Sequence, residues 1–173
     1  KGVVRLVLQA DLTSLAARYD LTYTIYGTGD MVVEASLDPG EAKLPDLPRF
    51  GMPAKPVPGL GQLTWYGPGP EETYVDRRDR PVGVYATTVA DNYFRYSQPQ
   101  ETGNKVEVRW ATLTNASGAG LLAAGQPLVS VNALHHSAED MDQAGHHHQM
   151  RPRDETYLNL DWRQMGLGGD DSW

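Results

Sequence analysis

The sequence contains no cysteine. That excludes a disulfide scaffold, thiol catalysis and thiolate zinc sites, and it accords with a reducing compartment. Basic residues are scarce: Lys and Arg total 15 against 22 Asp and Glu, a net charge of -7. With no basic stripe, the chain is a poor partner for nucleic acid or for an anionic membrane surface. No apolar run approaches the roughly 20 residues that a membrane span requires. An initiator methionine and a signal-peptide pattern are both missing at Lys1, so the 173 residues read as a single domain, 1–173, cut from something longer. That length suffices to bury a core.

Glycine (18) and proline (12) are plentiful but fall as punctuation. The runs between them read as strands. YDLTYTIY (19–26) and MVVEASL (31–37) flank Gly-Thr-Gly-Asp, a hairpin signal. In KVEVRWATL (105–113) the alternation sets Val106, Val108 and Trp110 on an apolar face, with Lys105, Glu107 and Arg109 opposite. Further strands are expected at 62–67, 82–89, 120–125, 127–134 and 155–162. Residues 38–60 are too proline-rich for a central strand and are expected to form a loop along a sheet edge. One short helix is marked by Ser137 as cap, Asp140 three residues on, and Gly145 as stop. About ten strands and one helix define an all-β, antiparallel β-sandwich.

Candidate chemistry is sparse. The five histidines are His135, His136 and His146–His148. Three consecutive histidines point in different directions, so no metal site is expected, and the run reads as an exposed polar loop. Of His135 and His136, one should point inward and be hydrogen-bonded. The acid pairs Glu71-Glu72, Glu139-Asp140 and Asp170-Asp171 are sequence neighbours. Neighbours on a strand face opposite ways, so none is automatically a glycosidase pair. YGPGPEETYVDR (66–77) reads as a structured loop held by an Arg–carboxylate contact, with Gly67 and Gly69 allowing unusual backbone. Glu101, at the entrance of the alternating strand, reads as a turn-stabilising acid that could also meet a sugar hydroxyl.

Taken together, WYGPGPEETYVDR, PQETGNKVEVRW, the Leu134-His135-His136-Ser137 strand end, PRDETYLNLD and MGLGGDDSW resemble the C-terminal domain of the large bacterial β-galactosidases of the LacZ type, glycoside hydrolase family 2. The likeness is strong over 47–173 and collinear over 19–37. Thr73, Val75 and Thr102 stand where the family often has Asn, Pro and Asn. The resemblance implies a sandwich of the galactose-mutarotase-like, or supersandwich, type, with its first strands and its last strands outside this chain. It implies hydrolysis of terminal non-reducing β-D-galactose, as in lactose, by two glutamates on a separate barrel, so no catalytic residue is expected here and the isolated chain should be inactive. It also implies a cytoplasmic homo-oligomer whose magnesium and sodium are held by other domains. Packing against the barrel falls to this chain, which itself needs no cofactor.

The same resemblance assigns Trp173 a substrate-binding role. In such enzymes the tryptophan closing GGDDSW offers its flat face to the leaving-group sugar. Gly166, Gly168 and Gly169 would let that segment bend. Two other classes are kept open. An aldose 1-epimerase-like enzyme would need His135 or His136 to face Glu101. A carbohydrate-binding module would use Trp65, Trp110, Trp162 and Trp173 as its platform, although Trp110 is expected in the core.

Overall fold

The computed structural model describes residues 2–41 and 43–166. Trp173 and the Asp170-Asp171 pair therefore lie outside the described residues. The described chain holds nine strands in two antiparallel sheets, one α-helix and one short 3-10 turn. This is the all-β class that the alternation implies. Contacts divide the chain into two compact units, Lys1–Asp46 and Leu47–Trp173.

The first unit is a meander of β1 (Val3–Leu12), β2 (Ala17–Tyr26) and β3 (Met31–Asp38). The expected Gly-Thr-Gly-Asp hairpin forms between β2 and β3. Its turn closes with Tyr26 N–H donating to Asp30 O at 2.9 Å, and Gly29 takes φ +96. No strand was expected before Tyr19, yet β1 pairs with β2 along its whole length, from Val3↔Tyr26 to Leu12↔Ala17. The register gathers Leu6, Leu8, Leu21, Tyr23, Val33 and Ala35 on one face and leaves Arg5, Gln9, Asp20 and Glu34 on the other.

The second unit contains the six-stranded sheet, in the order β4-β9-β8-β7-β5-β6. Its strands are β4 (Arg49–Ala54), β5 (Gln62–Pro68), β6 (Val82–Thr88), β7 (Lys105–Thr114), β8 (Gly120–Leu134) and β9 (Tyr157–Gln164). The proline-rich stretch expected to be a loop supplies β4. Pro53 is tolerated there because β4 is the sheet edge, pairing only with β9. The two runs expected at 120–125 and 127–134 are one strand, irregular around Gly125–Leu128 where it crosses the cis Gln126-Pro127 bond.

Strand β7 departs from simple alternation. Val106 and Val108 are buried as expected, but Glu107 has φ +56 and the register with β8 shifts on both sides of Val108. The bulge moves the buried positions to Ala111 and Leu113. Trp110 is consequently not a core residue. It is half-buried, 6.3 Å from the ring of Tyr66. Lys105, expected on the polar side, is only 3% exposed. The core comprises Leu63, Trp65, Val89, Val108, Ala111, Leu113, Val131, Ala133 and Leu158, with Leu60 at its margin. Burying each of the larger members is worth about 1.5–3 kcal/mol.

Helix α1 (Ala138–Gln143) starts as its capping box requires. Asp140 N–H donates to Ser137 Oγ at 3.1 Å, and Ser137 N–H donates to Asp140 Oδ2 at 3.0 Å. It ends at Gln143 with Ala144 in extended conformation, so Gly145 is not used as a left-handed cap.

Candidate functional site

A cleft of about 730 Å³ opens in the second unit, over the ends of β4, β9 and β8 and the start of α1. The ladder places its floor. Pro53, Asn159 and Asn132 form one cross-strand row, and Tyr157 and Leu134 form the next. His136, Ser137 and Glu139 follow directly from the end of β8 and form one wall with Met141. Arg49, from the start of β4, and Glu101, from the loop before β7, form another.

Arg49 organises that second wall. Its Nη2 donates to Glu101 Oε1 at 3.2 Å, and its Nε lies 3.1 Å from Asp161 Oδ2. Asn132 Nδ2 also donates to Glu101 Oε1, at 3.1 Å. Behind the wall, Asn92 Nδ2 donates to Asn132 Oδ1 at 3.2 Å, and Lys105 Nζ donates to Asn92 Oδ1 at 2.7 Å. Lys105 sits 4.9 Å over the Trp65 ring, and burial lowers its pKa to about 8 against the opposing pull of Glu72 and Glu71. Burial pushes Asp161 up to about 6, Arg49 pulling the other way and Glu101 adding to the rise.

On the opposite wall, Arg153 grips Asp140 through Nε at 2.8 Å and Nη2 at 2.6 Å. This pair holds the Asp140 carboxyl well below the usual range, helped by the Ser137 N–H. Glu139 is likewise lowered, first by its own backbone N–H and then by Ser137. Burial keeps His136 below the ordinary imidazole value.

The inward-facing histidine is His136, 8% exposed, but its buried Nδ1 has no hydrogen-bond partner among the described residues. The bonded one is His135, whose Nδ1 lies 3.1 Å from Glu155 O. The spacing of Glu101 and His136 in sequence gave no sign that they line one cleft, yet they do. Glu101 is thus a cleft acid bound to β4 and β8, rather than only a turn support.

The three histidines of 146–148 were expected to point in different directions, but only His147 turns away from the other two. His146 and His148 stack at 5.5 Å. His147 Nε2 must donate to Tyr96 O at 2.6 Å, leaving Nδ1 to accept from Tyr93 Oη at 2.8 Å. Among the described residues, no group of three His, Cys, Asp or Glu side chains could hold a metal ion.

The loop 66–77 is held by an Arg–carboxylate contact, between Arg77 and Glu72 at 2.7 Å. Glu72 also accepts from Gly103 N–H at 2.6 Å, from Thr102 Oγ1 at 3.2 Å and from Tyr96 Oη. Gly67 and Gly69 serve close approach rather than unusual φ. A Cβ on Gly69 would meet the Tyr85 ring at 2.6 Å, and one on Gly67 would meet Val108 Cα at 3.1 Å. Of the four tryptophans, Trp65 is buried, Trp162 is exposed on β9, and neither lines the cleft.

The fold and the cleft define an all-β domain with a polar cleft beside a capped helix. Comparison with known sequences narrows it. Residues 2–173 match the family described as beta galactosidase small chain, and the chain belongs to that family. It is 41% identical over 161 residues to a beta-galactosidase of Priestia megaterium, covering 92% of this chain and 15% of that protein. It is 41% identical over 159 residues to beta-galactosidase BgaC of Bifidobacterium adolescentis, covering 87% and 15%. A beta-galactosidase of Lactobacillus delbrueckii subsp. bulgaricus is 35% identical over 167 residues, covering 96% and 16%. The chain thus spans about 15% of the length of the curated relatives it matches.

Proposed function

We propose that this chain is the non-catalytic C-terminal part of a retaining β-galactosidase that cleaves terminal β-D-galactose, and that Trp173 shapes its leaving-group subsite. The observation that carries the reading is the match to β-galactosidases over 92% of this chain and only 15% of the relative. Most of such an enzyme, including room for a catalytic barrel, lies elsewhere in the polypeptide.

The electrostatics of the cleft support the non-catalytic half. Retaining hydrolysis needs one protonated and one ionised carboxyl about 5–5.5 Å apart. Of the two cleft acids, Glu101 is held by Arg49 and Asn132 through one of its oxygens, and Glu139 is favoured in its ionised form by its own backbone N–H and the Ser137 side chain. Asp161 has the raised pKa an acid catalyst wants, but it is 0% exposed and cannot meet a substrate.

The role of Trp173 rests on chemistry. One face of a pyranose is rich in C–H, and an indole covers it at little entropy cost. Burying on the order of 100 Å² of apolar surface is worth about 2–3 kcal/mol. The test is Trp173→Ala in the longer polypeptide. The expected result is a loss of roughly tenfold or more in kcat/KM on lactose, with weakened use of glucose as acceptor. Unchanged kinetics on both counts would make Trp173 a packing residue. The 173-residue chain alone is expected to leave nitrophenyl β-galactoside intact.

A further inference from the structure

The cleft beside α1 holds hydrogen-bonding capacity that the described residues do not use. Glu101 gives only Oε1 to Arg49 and Asn132, which leaves Oε2 without a hydrogen bond among the described residues. Arg49 uses Nε and Nη2, which leaves Nη1 without a partner among the described residues. Asn159 sits on the floor between Pro53 and Asn132, and its amide bonds to no described residue. An amide, a carboxylate oxygen and a guanidinium edge therefore meet in one cavity, offering donors and acceptors together.

The charges around the cleft nearly balance, with Arg49, Lys55 and Arg153 set against Glu101, Glu139, Asp140 and Asp161. Arg49 faces Glu101 and Asp161, and Arg153 faces Asp140. Lys55 lies against the Tyr157 ring at 4.6 Å, and Glu139 remains on the other wall. A site this close to balance has no strong preference for an anion or a cation. Between the polar groups lie Tyr157, Leu134, Met141 and Pro53. The volume of about 730 Å³ is within the usual range for small-molecule pockets. Apolar patches among donors and acceptors, with opposite charges close to balance, match a ligand with a C–H face and a rim of hydroxyls.

We propose that this cleft is a binding site for a neutral sugar of mono- or disaccharide size, with Asn159 and Glu101 as its principal hydroxyl partners. The described residues that line the cleft all fall within 49–159, and the test below does not use Trp173, so this proposal stands or falls separately from the leaving-group reading. His136, kept neutral, contributes an uncharged imidazole to the wall.

The test is a titration of the isotope-labelled 173-residue chain with D-galactose, D-glucose and lactose, followed by backbone amide shifts. The expected result is weak, saturable binding with shifts centred on Tyr157, Asn159 and the start of α1. Asn159→Ala should weaken it about fivefold or more, the loss expected for one hydrogen bond. Trp162→Ala, on the same strand but outside the cleft, should leave it unchanged. A folded chain that shows no saturable shift with any of the three sugars overturns the proposal. So does binding that Asn159→Ala leaves intact, or a stronger response to galactose 6-phosphate than to galactose. If the chain's amide dispersion shows it unfolded, the same variants are read in the longer polypeptide with its galactoside site blocked by a covalent fluoroglycoside. The kinetics of Trp173→Ala report on the other reading, so failure of one leaves the other legible.

Discussion

Arg49 Nε lies 3.1 Å from Asp161 Oδ2, and this contact joins the edge strand β4 to β9 at the wall of the cleft. The geometry is close because Gly51 faces Asp161 across the ladder: a Cβ there would fall 2.1 Å from Asp161 Oδ1. Glycine thus lets the edge strand lie against a buried acid that a larger residue would displace.

The raised pKa of Asp161 sets a pH dependence with a definite sign. Its folded value of about 6 exceeds the ordinary value near 4, so the native state binds more protons than the unfolded state in that window. Stability from this group therefore falls as pH rises from about 4 to 6, and above 6 the cost of the buried charge is fully present. The change is on the order of 2–3 kcal/mol. Urea unfolding from pH 4 to 7 should show it as the difference between the wild type and Asp161→Asn, whose profile should lack this fall. Parallel profiles would mean that Asp161 titrates normally.

Lys105 carries the opposite sign at the alkaline end. Its folded pKa of about 8 is below the ordinary value of 10.5, so between those values the unfolded chain binds more protons. Stability from this group rises with pH in that window. Lys105→Met keeps the stem against Trp65 and removes the titration. The free energy of unfolding of the wild type relative to this variant should climb between pH 7 and 10. A constant difference would sink the assignment of a depressed lysine.

Two adjacent glutamates should behave differently. Glu72, its side chain 10% exposed, accepts from Arg77, Tyr96, Thr102 and the Gly103 N–H. Glu71 is 62% exposed in its side chain and, among the described residues, pairs only with Arg80, at 3.3 Å. Glu72→Ala strands several buried donors and should cost about 3 kcal/mol. Glu71→Ala should fall within about 0.5 kcal/mol of wild type. Denaturant midpoints at constant slope measure both, and equal losses would show that Glu72 does not organise the loop.

Much of the architecture was legible because it depends on near neighbours. The β2–β3 hairpin follows from alternating residues around a glycine turn. The start of α1 follows from Ser137 and Asp140, whose mutual hydrogen bonds span three residues. Strand β1 was missed although VVRLVLQADL alternates, and β4 was read as a loop because proline argues against central strands without excluding edges.

Sequence by itself thus determined the antiparallel β class, the helix cap and, through several collinear motifs, membership of the β-galactosidase small-chain family. Tertiary structure alone decided which polar residues are buried and which meet. A bulge at Glu107 turned Trp110 out of the core and moved the buried pattern to Ala111 and Leu113. The loop before β7 brought Glu101 to Arg49, 52 residues away, and the β8–β9 ladder set Asn159 beside Asn132. The reason is physical. Alternation and capping are encoded over two to four residues, whereas a bulge shifts every later side chain at once and a cleft forms only where distant strands pair.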